Sequence, residues 1–417
     1  MRIALCADGR SPHTLRWANA VIDRGHDVAL IWTRSDFADG DLSSYRSSIS
    51  HHRVSDPASR RRPWKLLTSG LEARRLAEKL RPDLVHGLYL SGYGWTARDL
   101  GVHPLVLSAL GTDVLDLDPH RSRDGTTLDR LGARYVTHRT RDAVVASDLV
   151  LTDSNPLADV LRRRVPGTEV GIVRFGVEIR EDSSDARSRW RSRLGVNDDA
   201  FVLLSTRLMR PNYNIDVIVR ALPVIRDRCP GAVLVLKELP RFSDATYREM
   251  CLDLANSLGI RDAVRLVGEL DRGDLLELYS AADVYMSVPS TDGTAVSVLE
   301  AMASGVAVVA TDAPGIDPSI INEGVSALVV PVRDVDALAA AVSELGMDPT
   351  RRRRLVEQAR DVVQREADFD RELDRAVGYY DELLAMRSRQ PRAGSASKPG
   401  IASPANGFED RSSSEGD

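Results

Sequence analysis

The chain has 417 residues, 28% of them charged, and a net charge of −5. At roughly 150 residues per domain that length implies two or three domains. The absence of a basic surplus argues against nucleic acid as a partner.

Of the 56 basic residues 52 are Arg, leaving only Lys65, Lys79, Lys237 and Lys398. Any anion held tightly is therefore expected to meet arginine or backbone. Cys6, Cys229 and Cys251 lie far apart with no paired spacing, which speaks against a disulfide framework or a zinc site and for a reducing compartment. The chain opens without a signal-peptide pattern, and no apolar run reaches the length of a membrane span. The expectation is a cytoplasmic, soluble protein.

In chain order, short apolar runs at Ile3–Cys6, Val28–Trp32, Leu84–Leu88 and Leu105–Ala109 read as buried strands. Helical patterns over Thr14–Arg24 and Lys65–Leu80 lie between them, and Leu149–Thr152 followed by a helix from Pro156 to Arg164 continues the series. Strands alternating with helices predict βαβ units and a parallel sheet covered on both faces. The charged stretch 179–195, with a helix around Arg187–Leu194, reads as a linker. The pattern then restarts, with strands predicted at Phe201–Ser205, Ala232–Leu236, Val264–Val267, Val284–Val288, Val306–Ala310 and Ala327–Val330. Helices at Ile215–Asp227, Asp244–Leu258, Arg272–Ala281, Val296–Ala303 and Val335–Glu344 separate them. One long helical pattern covers 351–387. Residues 388–417 are rich in Ser, Gly and Pro, bury too little to offset ordering entropy, and read as disordered. The fold class expected is α/β, with Rossmann-like domains at 1–178 and 196–350 and a cleft at the carboxyl ends of their strands.

The most informative segment is 288–312, VPSTDGTAVSVLEAMASGVAVVATD. A strand ends, a loop with Gly293 follows, and a helix begins. Gly293 lets backbone approach a ligand closely, and a helix start offers unpaired N–H groups to a phosphate. Asp292 and Glu300 flank these amides, so they can hold hydroxyls at both ends of a molecule whose middle is a pyrophosphate, which is the layout of a nucleotide sugar. The same residues also suit a capped helix with a surface Asp and a structural Glu.

This segment resembles the donor site of family 4 glycosyltransferases, which have the two-Rossmann architecture called GT-B. That family carries two Glu residues separated by seven others, then Ala-Met-Ala-x-Gly; here the run is Asp292 … Glu300-Ala-Met-Ala-Ser-Gly305, with Asp in place of the first Glu. GELDRGDLLELYSAADVYMSVPS (268–290), RPDLVHGLYLSGYG (81–94), PLVLSALGTDVL (104–115) and ASDLVLTDSNPLADVLR (146–162) also look like family segments. The resemblance implies transfer of a hexosyl group from a nucleotide sugar, a UDP-sugar favoured, to an acceptor hydroxyl of a small molecule, polysaccharide or lipid-linked glycan, with retention at the anomeric carbon. It implies no cofactor and no metal. Glu300 matches the acid that holds the ribose, and Asp292 the one that contacts the donor sugar. Gly293, Thr294, Ala295, Val296 and Ser297 would give amides to the diphosphate. Arg207 matches the diphosphate arginine, and Tyr213 stands where the family has a lysine, with Arg210 or Lys237 as conceivable substitutes.

The first domain is expected to bind the acceptor through the loop of Gly9, with His13 and Arg16 just beyond, and through His86 at another strand end. The family often has a histidine just before the glycine of the Gly111-Thr112-Asp113 wall. Here that position is Leu110, so Asp113 and His13 are the expected substitutes and are taken, with Asp292, as catalytic. A GT-B epimerase or a non-catalytic nucleotide-sugar-binding protein is the rival. Arg60-Arg61-Arg62-Pro63-Trp64-Lys65 puts cations beside an aromatic and suggests weak contact with the inner face of a membrane.

Overall fold

The computed structural model describes residues 1–32, 44–55, 65–117, 127–179, 184–240 and 242–389. Seven strands come first in the chain: β1 (Arg2–Cys6), β2 (Asp27–Trp32), β3 (Ser50–Arg53), β4 (Leu84–Leu88), β5 (Leu105–Ala109), β6 (Leu149–Thr152) and β7 (Val170–Ile172). They form one parallel sheet in the order β3-β2-β1-β4-β5-β6-β7. The second sheet holds β8 (Val202–Ser205), β9 (Val233–Lys237), β10 (Val264–Val267), β11 (Val284–Ser287), β12 (Ala307–Thr311) and β13 (Leu328–Val330). It too is parallel, in the order β10-β9-β8-β11-β12-β13. Every residue of β4, β5, β8 and β11 is buried. Helices cover both faces of each sheet, which is why the central strands read as unbroken apolar runs.

The two outermost strands of the first sheet, β3 and β7, escape the sequence pattern. Strand β3 is Ser-His-His-Arg, with no apolar run, and joins only through its ladder to β2. Strand β7 is three residues long, and its Gly171 lies flat against the ring of Tyr379.

Two expected boundaries change. Ser184–Leu194 is a helix of the second domain rather than linker. Its Ala186, Trp190 and Leu194 fall on one face and are buried. Arg191, also buried, is satisfied by Asp283 at 2.9 Å and by the carbonyls of Asn197, Asp198, Ala200 and Ala281. The long pattern at 351–387 is two helices, Pro349–Glu366 and Phe369–Arg389. They are broken where Val177 donates to the Ala367 carbonyl and accepts from the Phe369 amide. The first packs on the second domain through Ala359, Val362 and Val363. The second returns to the first domain, where Leu373, Ala376, Tyr379 and Tyr380 join Ile3 and Leu5 in one core. Each large side chain so buried contributes about 1.5–3 kcal/mol.

No described helix is long and apolar enough to cross a membrane. The basic cluster 60–64 and the tail from 390 onward lie outside the described residues.

Candidate active site

The carboxyl ends of both sheets face one cleft of about 700 Å³. Its first-domain wall carries Asp8, Ser11, His13, Tyr89, Leu110 and Asp153; its second-domain wall carries Arg207, Tyr213, Asp292 and Thr294 to Ser297.

The loop 206–214 is tied to the loop 288–292. The Ser290 amide donates to the Asn212 carbonyl at 2.7 Å, and Asn212 and Asn214 side chains donate to the Thr291 and Val288 carbonyls at 2.9 Å each. This lashing brings Arg207 onto Asp292, with which it forms an ion pair, and onto Ser297 Oγ at 3.1 Å. The Arg207 guanidinium lies 4.2 Å over the centre of the Tyr213 ring. At the position where the resembled family has a lysine, Tyr213 stacks beneath the arginine instead of adding a second cation. Burial pushes the Asp292 carboxyl up, and Arg207 and the Gly293 amide pull the other way.

The helix Val296–Ala303 starts at this point, with Ala295 as its cap. The Val298 and Leu299 amides donate to the Ala295 carbonyl at 2.9 and 3.3 Å, which leaves those of Val296 and Ser297 outside the helical ladder. Glu300 is buried one turn further in. Its carboxylate accepts from Arg272 at 3.0 Å and from the Tyr279 hydroxyl at 3.2 Å. Burial raises its pKa, against Arg272 and Tyr279. Lys237 is buried, with its pKa lowered by that burial and supported by Glu269 and Glu300; Arg210 binds the Phe242 carbonyl. Neither lines the cleft.

The two domains touch at this loop. A Cβ on Gly111 would fall 2.9 Å from the Gly293 nitrogen, and one on Gly293 would fall 2.7 Å from Asp153 Oδ2, so both glycines are demanded by close approach. Thr294 Oγ1 donates to the Asp153 carbonyl at 3.2 Å, and Ser154 Oγ to the Gly315 carbonyl at 2.9 Å. Beside them Arg174 and Asp317 form a buried ion pair at 3.0 Å.

The expected first-domain residues divide. His13 lines the cleft against the ring of Phe175, 5.4 Å away. Burial, then Arg16 and Arg272, lower its pKa to about 4, so the imidazole is neutral at pH 7. The other four lie elsewhere. His86 is fully buried, with Nε2 on Ser108 Oγ and Nδ1 on the Tyr380 hydroxyl, both at 2.8 Å. It is a core residue, not an acceptor ligand. Asp113 is buried and accepts the amides of Leu90 and Leu110 at 2.9 Å each. It shapes two loops of the wall instead of reaching into the cleft. Arg16 donates to the Gly176 carbonyl at 2.8 Å and stacks 3.5 Å over Phe369, bracing the crossover between the domains. Gly9 is buried, its Cα against Trp32 and its carbonyl held by the Tyr45 hydroxyl at 2.8 Å.

Sequence reasoning passed over Asp153. It follows β6 in a segment recognised only for its overall resemblance, and its acid looks like any strand-end Asp. Only the fold shows it buried in the cleft wall.

The second domain matches the family described as glycosyl transferases group 1 over residues 186–362, and the first matches glycosyl transferase 4-like over 2–137. A D-inositol 3-phosphate glycosyltransferase of Stackebrandtia nassauensis is 32% identical over 414 residues, covering 94% of this chain and 90% of that one. This chain belongs to the group 1 glycosyltransferases. Among solved structures, sucrose-phosphate synthase from Thermosynechococcus elongatus superposes with a TM-score of 0.78 at 21% identity, covering 93% of this glycosyltransferase and 100% of that chain. Anabaena HepE in complex with UDP-glucose gives 0.72 at 17% identity, covering 92% and 99%. Both share the GT-B fold with this protein.

Proposed function

We propose that this glycosyltransferase moves a hexosyl group from a nucleotide sugar, a UDP-sugar in the first instance, to a hydroxyl of a small polyol acceptor, with retention and without a metal. The observation that carries this reading is one cavity lined by Arg207, propped on Tyr213, by Asp292 and by Thr294 to Ser297, whose backbone amides open the helix Val296–Ala303, with Glu300 buried one turn beyond. Arg207 and those amides hold the diphosphate. Asp292 takes sugar hydroxyls. Glu300 offers the ribose the lone pairs that Arg272 and Tyr279 leave free.

The acceptor hydroxyl enters along the His13 wall. A neutral His13 orients it without adding positive charge. The leaving diphosphate takes the acceptor proton as the glycosidic bond to it breaks, and Arg207 offsets the charge that develops there. Contact between Gly111 and Gly293 shuts the seam, which keeps water from the sugar. The name of the relative from Stackebrandtia makes D-inositol 3-phosphate the first acceptor to try.

The test is a matrix of UDP- and GDP-sugars against polyol, polyol phosphate and glycan acceptors, with products read by mass spectrometry and anomeric configuration by NMR. The expected result is one product with the donor's configuration, formed equally in EDTA. Donor epimerised without acceptor, or bound across the matrix without transfer, overturns the reading.

A further inference from the structure

Among the described residues that line the cleft, two carry a buried polar atom with no hydrogen-bond partner: Arg207 at Nε and Asp153 at Oδ1. Both lie at the loop of Asp292 and Gly293. Arg207 is ion-paired to Asp292 from the second domain, and Asp153 confronts the same loop from the first. An unsatisfied buried carboxyl oxygen costs free energy that folding gains nothing for. At a cleft wall, such an atom is placed to be satisfied by a group of a bound ligand.

We propose that Asp153 is a donor-sugar ligand supplied by the first domain, hydrogen-bonding a sugar hydroxyl that Asp292 holds from the other side. This rests on the donor reading above. Three features point to the sugar. Asp153 lies at the Gly293 end of the amide row, beside the acid assigned to the sugar. The neighbouring first-domain position in the cavity wall is Leu110, which offers the sugar no polar side chain. Gly293 has no side chain to separate Asp153 from that position.

The chemistry fits a hydroxyl. Burial, then the charges of Asp292 and Asp113, push the Asp153 carboxyl well above the usual range, while Arg174 and the Thr294 amide oppose the shift. Asp113 spends both of its oxygens on backbone amides and Asp292 is paired with Arg207, so Asp153 is the acid of the three left to carry a proton. A neutral carboxyl donates one hydrogen bond and accepts another, as a hydroxyl does.

Calorimetric titration of the full chain with its nucleotide sugar, and separately with the matching nucleoside diphosphate, tests this. Asp153→Ala is expected to weaken the nucleotide sugar about tenfold or more while leaving the diphosphate unchanged, the discrimination expected of a site built to bond a hydroxyl. Asp153→Asn keeps one donor and one acceptor and should restore most of the affinity. Wild-type affinity for the nucleotide sugar should fall as pH rises toward ionisation of Asp153, and the Asn variant's should not. Equal losses for both ligands mean that Asp153 only shapes the domain seam and overturn the proposal. No loss in the Ala variant, or an Asn variant no better than Ala, overturns it as well. Wild-type protein that binds the diphosphate but no nucleotide sugar overturns the donor reading itself, and this assignment with it. Thermal melting of both variants identifies any that fails to fold, and the Asn variant alone then decides through its two ligands and pH profile.

Discussion

On the second-domain side, Asp292 and the amide loop of the cleft wall and Glu300 buried behind them come from one stretch of nine residues, and both acids have a charged partner: Asp292 with Arg207, Glu300 with Arg272. On the first-domain wall, His13 sits in the first turn of the helix Pro12–Asp23, and Tyr89, Leu110 and Asp153 directly follow three different strands. Its buried groups are neutral or pushed toward neutrality, His13 with a pKa near 4 and Asp153 well above the carboxylate range. The contrast suits the ligands proposed for each. A diphosphate needs fixed positive charge and oriented amides. An uncharged sugar and a hydroxyl acceptor need neutral donors and acceptors that do not compete for that charge.

The difference can be broken most directly at Arg207. Arg207→Ala removes the fixed cation and should lower kcat/KM about a hundredfold, the effect of losing a charged hydrogen bond of about 2–3 kcal/mol. Arg207→Lys should recover only part, because an ammonium cannot both fork onto Asp292 and Ser297 and lie flat on Tyr213. Steady-state kinetics with saturating acceptor measure both. An unchanged kcat/KM in the Ala variant would remove the electrostatic basis for the donor wall.

Asp113 sharpens the comparison from the other side. Asp113→Ala strands the amides of Leu90 and Leu110, and stability in urea should fall by about 2 kcal/mol. Asp113→Asn, which keeps one acceptor oxygen, should lose less. A kcat drop in the Asn variant with stability intact would return Asp113 to the reacting atoms.

Acid should expose the two neutral histidines. Burial holds His13 near 4 and His86 near 3, whereas an unfolded histidine titrates at about 6.5. Between those values the unfolded chain binds protons that the folded chain does not. Stability therefore falls as pH drops from 6.5 through 4 toward 3. Urea midpoints at several pH values should show that limb, and His86→Gln should flatten part of it. A limb unchanged in that variant would place the acid sensitivity elsewhere.

The smallest effect belongs to Tyr213. Tyr213→Phe preserves the ring under Arg207 and should leave kcat/KM nearly intact. Tyr213→Ala should cost about 1 kcal/mol, the scale of a partly buried cation–π contact. Equal losses in both variants would mean that the hydroxyl, not the ring, matters.

Much of the fold was legible because the deciding interactions are local. The runs at Leu84–Leu88, Leu105–Ala109 and Leu149–Thr152 match β4, β5 and β6 residue for residue, since a strand buried on both faces leaves an unbroken apolar signature. Strands β3 and β7 were not legible, because an outer position in the sheet asks for a ladder and little apolar surface. The helix at Ser184–Leu194 was legible from about Arg187, but its arginines hid its membership of the second domain; one of them, Arg191, is buried and satisfied by groups up to 92 positions away.

The site follows the same division. Sequence alone determined two parallel α/β domains and the strand–loop–helix around Gly293, because the turn, the helix start and the spacing of Asp292 and Glu300 act within a few turns of chain. Tertiary structure decided the first-domain wall. His86 leaves the site because Tyr380, 294 residues away, takes its Nδ1. Asp113 turns to Leu90, 23 residues away. Asp153 enters the site because the second domain closes over it. Whether a polar group is spent or free depends on partners that only the folded chain brings within hydrogen-bonding reach.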